Sequence, residues 1–292
     1  MPSNASVYGS GYVRWRRRLT DHLATAAAAL TTLLVLAPLL AIFAYLVYRG
    51  AGALNWAFLT HTPAPVGETG GGMANAIIGS GTILAIACAL GVPLGVGAGI
   101  YLAEYGRNRL GNYIRFTADV LNGVPSIVVG IAVYALIVLR QGHFSAFSGG
   151  VALGIMLVPT VTRATEEMLL MVPHSIREAA LGLGVPEWRT TVSITLRTAL
   201  PGVITAIMLG FSRIAGETAP LLFTAFGNQF WNLRPDQPTA ALPLQIFAYA
   251  ISPYDEWHRQ AWAGALVLIV LIVGTVAAVR LLAARGVVKG EA

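Results

Sequence analysis

Long apolar runs, each closed by charged or turn-forming residues, set the pattern of this chain. They cover Leu23 to Tyr48, Ala74 to Leu102, Tyr113 to Leu139, about Phe144 to Met171, Leu200 to Phe226 and Trp262 to Val279. A helix that crosses a bilayer needs roughly 20 mostly apolar residues. The pattern therefore predicts an all-α, polytopic membrane protein with six transmembrane helices. The fourth run is the least clean, because Pro159 interrupts it and Arg163, Glu166 and Glu167 follow. It reads as a helix that runs out of the membrane into the cytosol. The first run is longer than the 7–15 residues usual for the apolar part of a secretory signal and lacks a clear small-residue cleavage site, so it reads as a retained span.

Two runs carry internal features. Gly91, Gly95 and Gly99 recur every four residues and form one stripe on a helix face, where a neighbouring backbone can approach closely; helix packing is the first reading. Pro125, flanked by Gly123 and Ser126, removes a helical hydrogen bond inside the third run. A broken helix at membrane depth is tolerated where protein or a watery cavity satisfies the freed groups. Pathway element and ordinary proline kink both remain open there. Between the runs lie two long outer loops, a glycine-rich one over Arg49 to Gly72 that reads as flexible and a partly ordered one over Gly227 to Ala261.

Composition agrees with the pattern: 56% of residues are hydrophobic and 11% charged, against about 25% charged in a soluble domain. Charge placement adds orientation. With the N-terminus inside, the inner segments collect 14 basic residues (Arg14, Arg16, Arg17, Arg18, Arg107, Arg109, Arg115, Arg163, Arg177, Arg189, Arg197, Arg280, Arg285 and Lys289), against 4 outside (Arg49, Arg140, Arg234 and Arg259). That positive-inside bias places both termini in the cytosol and the chain in the plasma membrane as a multi-pass protein. The net charge of +6 is then a matter of topology and anionic lipid headgroups, and no nucleic-acid role follows from it. Residues 1–21 form a basic cytosolic tail, residues 22–283 one membrane domain, and residues 284–292 a cytosolic tail. The single cysteine, Cys88, lies inside the second run and reads as a small buried hydrophobe, and the five histidines have no ligand spacing. Neither a metal site nor a nucleophile with an adjacent base is visible, which disfavours an enzyme.

The segment from Val172 to Val203 is rich in local signals. Ser175 followed by Glu178 has the form of a capping box, Ile176 to Leu183 reads as a helix, Gly184 suits a left-handed position after it, and Pro186 suits the first turn of a second helix. Together they predict a helix, a glycine turn and another helix held outside the membrane, at about residues 173–199. Glu178, Ala179, Ala180 and Gly184 resemble the EAA loop of ABC-importer permeases, with Ile194 and Leu196 at its later aliphatic positions and Arg197 where the pattern has proline. The resemblance implies a type I ABC importer permease (MetI-like) fold in which this loop docks on a cytosolic ATPase. A Walker A loop needs a Gly-Lys pair, and the only lysine is Lys289. ATP-Mg would thus be bound by a partner, and this chain needs no cofactor of its own.

"NGVPSIVVG", "VTRATEEMLLMVPHSIREAALGLG" and "ALPGVITAIMLGFSRIAGETAPLLFTAFG" together resemble phosphate permease subunits of the PstA type from the third run through the fifth. That resemblance implies a second, PstC-like permease, two ATPase subunits and an extracytoplasmic phosphate-binding protein. Arg213 lies thirteen residues past Leu200, about 20 Å along a helix and near mid-membrane. A charge there costs about 2.5–3.5 kcal/mol and calls for a partner or a watery face. Glu217, four residues on, would share its helical face. Arg213 is a candidate contact for a passing oxyanion, tuned by Glu217, with Thr218 and Ser126 as hydroxyl donors; a structural Arg213–Glu217 ion pair is the competing reading. Two rival functions stay open: a permease for sulfate or molybdate, and an ATP-independent channel or ion-coupled transporter.

Overall fold

The computed structural model describes residues 11–288 apart from residue 67; the outermost parts of both expected tails, including Lys289, lie outside the described residues. Contacts divide the chain into two units, Met1–Arg49 and Gly50–Ala292. The first consists of nearly all of helix α1, Gly11–Ala51, which runs unbroken through Pro38 and includes residues 11–21 of the expected tail.

The second unit is helical throughout: α2 (Trp56–Thr60), α3 (Ala74–Glu104), α4 (Arg109–Gly123), α5 (Ser126–Gln141), α6 (Ala146–Leu170), α7 (His174–Gly182), α8 (Glu187–Ala215), α9 (Ala219–Thr224), α10 (Leu242–Ala250) and α11 (Asp255–Val288). Five helices among the described residues, α1, α3, α6, α8 and α11, are long and apolar enough to cross a membrane, and α4 with α5 make up a sixth span if counted together. That pair is bent by 103°. Of the two readings left open at Pro125, the run over Tyr113 to Leu139 takes the broken form, as two helices. Pro125, at φ −57° and ψ 134°, stands as the N-cap of α5, and Val124 is extended, as the residue before a proline prefers to be.

The centre of the second unit is α6. Its most apolar window is 61% buried, against 28% for α3 and 11% for α11. A helix surrounded by protein need not be apolar on every face, which explains why this run was the least clean in the sequence. The glycine stripe of α3 lies directly on it. A methyl carbon added at Gly91, Gly95 or Gly99 would stand 2.9, 2.7 or 2.6 Å from the Cβ atoms of Leu157, Val161 and Thr165, which also advance four residues at a time. Matching four-residue rows let the two helices pack backbone to side chain. Ile83, Ala87, Leu153, Ile214 and Leu221 complete this core.

At the end of the bundle where α3 begins, the chain from Asn228 to α10 folds back onto α3. Asn75 Nδ2 donates to the Asn228 carbonyl (2.6 Å), and the Leu242 amide donates to Ser80 Oγ (2.7 Å). The loop over Arg49 to Gly72, expected to be flexible, contains α2. Asn55 Oδ1 accepts from the Phe58 amide at 2.7 Å, and Phe58 is buried against Met73, Leu242 and Tyr249.

Candidate functional site

At the opposite end of the bundle, α7 projects from the C-terminus of α6. The helix starts at His174 with Pro173 as N-cap, and no side chain caps it. The expected Ser175–Glu178 capping box is thus corrected: Pro173, held at φ −55°, already sets the first turn, and Ser175 falls inside it. Beyond α7, Gly184 adopts φ +78° and donates its amide to Leu181 O at 2.9 Å, while the Val185 amide reaches Ala180 O at 3.2 Å. This left-handed glycine ends the helix as the sequence indicates. Pro186 then leads into α8, which continues without a break, through a π-helical turn at Thr191–Thr195, to Ala215. The second helix of the loop and the fifth span are therefore one element, where the sequence had implied two. Pro201, Gly202 and Gly210 disfavour a helix locally, yet all three are absorbed within it.

Of the residues expected to couple, Glu178, Ala179 and Gly184 are exposed and Ala180 is buried. Nothing within the chain lies within 4 Å of a carbon added at Gly184. Leu183 (85% exposed) and Trp188 (63%) stand beside it, so the tip of this unit carries two large apolar side chains in the open.

The expected pathway residues all sit at helix interruptions. Arg213 is in the last turn of α8; Glu217 lies in the break between α8 and α9; Thr218 is the N-cap of α9; Ser126 opens α5. The single helical face expected for Arg213 and Glu217 does not exist, because Gly216 ends α8 and its amide turns back to Ile214 O. Among the described residues neither side chain makes an ion pair or hydrogen bond with another. Depth follows from packing: Gly210 rests on Leu157, the twelfth of the 25 residues of α6, so Arg213 lies about one turn from the middle of the bundle, and its side chain is exposed. The helices that follow the two interruptions pack on each other, since a carbon added at Gly130 of α5 would stand 2.6 Å from Pro220 Cα of α9. The N-terminus of α5 has no side-chain cap; the Val128 amide turns back to Pro125 O at 2.9 Å, which leaves the Ser126 and Ile127 amides to another acceptor.

The structure also assembles an ionic ladder between α4 and α6. Arg115 pairs with Glu166 (2.6 Å), Asp119 with Arg163 (3.0 Å), and Thr160 donates to Asn122 (3.1 Å); Arg163 also reaches Glu166 at 2.7 Å. Glu166 is only 3% exposed and is neutralised from both sides. In the sequence Arg115 and Arg163 count as inner charges, and Arg163 and Glu166 as the polar end of the fourth run, with no pairing implied. The spacing 115, 119, 122 on one helix and 160, 163, 166 on the other was the available signal, since each set lies along one helical face.

A family model described as "Binding-protein-dependent transport system inner membrane component" matches residues 95–287, which takes in α7 and both interruptions. The phosphate transport system permease protein PstA of Yersinia pestis is 46% identical over 255 residues, 87% of this chain and 86% of the relative. PstA 1 of Mycobacterium tuberculosis (strain ATCC 25618 / H37Rv) is 36% identical over 262 residues, 88% of this chain and 85% of the relative. The chain is a member of the PstA permease family. Among solved structures, a chain of the MetNI methionine ABC transporter in an inward facing conformation aligns with a TM-score of 0.55 at 18% identity, over 74% of this chain and 96% of that one. That likeness concerns the fold alone, which is the MetI-like permease fold. In this PstA-family permease Glu178, Ala179 and Gly184 thus lie exposed on a helix and turn that lead into a membrane helix, while Arg213 stands near mid-bundle at the break between α8 and α9.

Proposed function

We propose that this chain is a transmembrane permease subunit of an ATP-driven inorganic phosphate importer. The observation that carries the reading is Arg213: a guanidinium near mid-bundle, exposed, and without a partner among the described residues. In hydrocarbon such a charge is costly, so it belongs on a watery path or at a subunit junction. A planar fork of donors suits a tetrahedral oxyanion, and the uncapped start of α5, the helix that packs on α9 at Gly130 and Pro220, adds free amides. The PstA relatives favour phosphate over sulfate or molybdate. Glu217 weakens the hold of Arg213 on the anion or accepts a hydrogen bond from its protonated form, with Thr218 and Ser126 as hydroxyl donors.

On this reading the α7 end faces the cytosol, both termini lie inside, and Glu178, Ala179, Ala180 and Gly184 dock α7 on an ATPase. The open Leu183 and Trp188 give that contact an apolar centre, the kind of anchor that dominates interface energy. A PstC-like second permease completes the pathway, two ATPase subunits bind and hydrolyse ATP-Mg, and a phosphate-binding protein delivers the ion to the α10 side. The permease contributes no catalysis of its own.

The test is uptake of radiolabelled phosphate by the assembled complex in proteoliposomes. Arg213→Gln lowers uptake by about tenfold or more at unchanged assembly, the loss expected when one charge-assisted contact of about 1.5–3 kcal/mol is removed. Full uptake by that variant removes Arg213 from the pathway, and sulfate competing as well as unlabelled phosphate removes the substrate assignment.

A further inference from the structure

Arg177, in the first turn of α7, points back into the bundle. Its Nη2 donates to Glu104 Oε1 at 2.9 Å and to Leu169 O at 2.8 Å, and its Nη1 donates to Val172 O at 3.4 Å. Glu104 is the last residue of α3, and the two carbonyls belong to the last turn of α6 and to Val172 just beyond it. One planar guanidinium therefore ties the projecting helix to both members of the glycine-packed pair. The contact is largely buried, with Arg177 12% and Glu104 14% exposed, so salt screens it less than a surface pair. Next to it Ile176 packs on the buried Leu169, Val172, Ala199 and Val203. The far side of the α3 terminus is held by Arg115, whose Nη2 and Nη1 donate to Leu102 O and Gly106 O, each at 2.9 Å.

A displacement of α7 must then either carry the α3 and α6 ends with it or leave a carboxylate and a guanidinium unpaired where hydration is poor. Separating a largely buried pair is the more costly course. One further detail bears on motion: Arg177 Nε is buried with no hydrogen-bond partner. A guanidinium with a donor in hand can take up a new acceptor when the helix ends shift, and buried donors without partners are uncommon in structures at rest.

We infer that the Arg177–Glu104 pair is the strut through which movement of α7 reaches α3 and α6, which makes Arg177 a positioning residue for transport. The inference rests on the permease reading above and deepens it. It assigns transmission to a contact outside the EAA residues and outside the pathway.

The experiment uses the complete complex with its second permease, ATPase and binding protein in liposomes, and reads phosphate taken up per ATP hydrolysed. Glu104→Gln keeps shape and removes charge. It assembles normally and still hydrolyses ATP, but the ratio falls about fivefold, the lower range of coupling between distant sites. Arg177→Lys, which keeps charge but loses the fork, falls similarly, and Glu104→Asp recovers part of the ratio. A wild-type ratio in Glu104→Gln overturns the strut. So does failure of Glu104→Gln to assemble, which makes the pair a folding contact only. If the wild-type complex moves sulfate in place of phosphate, the substrate reading fails, and the same ratio measured with sulfate decides the strut.

Discussion

Glu166 shows how far a single residue's role depends on what surrounds it. Its carboxylate is almost wholly buried yet accepts from Arg115 and Arg163, so each charge in the trio is answered. Replacing it with glutamine removes the buried charge that both guanidinium groups share, leaving Arg163 with the half-exposed Asp119 and Arg115 with the Leu102 and Gly106 carbonyls. Breaking a buried pair by removing one partner costs about 3–5 kcal/mol, whereas an exposed pair contributes about 0–1 kcal/mol. Glu166→Gln is expected to destabilise the purified permease by about 3 kcal/mol in a denaturation series. Glu256→Gln, which breaks the Arg259 pair where the arginine is 63% exposed, is the control and loses under about 1 kcal/mol. Equal losses in the two variants would show that the ladder is no more buried in solution than a surface pair.

At the scale of elements, the pairing of α3 with α6 depends on the absence of side chains. Gly95 is the centre of the stripe, and a methyl group there already meets Val161 at 2.7 Å. Overpacking of a tight contact costs about 1–3 kcal/mol. Gly95→Leu is expected to lower the thermal midpoint of the complex, while Gly97→Leu, where an added carbon meets nothing within 4 Å, leaves it unchanged. The stripe was legible in the sequence because its four-residue period is local. The break at Pro125 was legible too, but its angle was not. A proline removes one hydrogen bond, and whether the chain then kinks or turns through 103° depends on what receives the second half, here the approach of Gly130 to Pro220. The merger of the loop's second helix with the fifth span was missed for a similar reason. Polar residues from Glu187 to Thr198 marked the water-facing part of the stretch, and polarity does not end a helix.

For the whole molecule, the lever reading makes Gly184 decisive without making it structural. A side chain there meets nothing inside the chain, although φ +78° adds strain of order 1 kcal/mol for any residue but glycine. Gly184→Trp is therefore expected to leave the folded permease in the membrane in near-normal amount and to reduce co-purification of the ATPase severely, read by quantitative pull-down. Gly184→Ala, with the same backbone strain and little bulk, separates strain from obstruction. If the tryptophan variant holds its ATPase as well as wild type, α7 is not the docking element.

The sequence by itself determined the membrane class, the apolar spans, the left-handed turn at Gly184 and the family motifs, because each is written in residues within a few positions of one another. It also supplied every charge. It did not say which charges would meet: Arg115 finds Glu166 across 51 residues and Arg177 finds Glu104 across 73, while Arg213 and Glu217, four apart, do not pair. Those choices belong to the tertiary structure, because a side chain's partner is set by which helices pack and at what level, and a helix that ends one residue early turns the next one away.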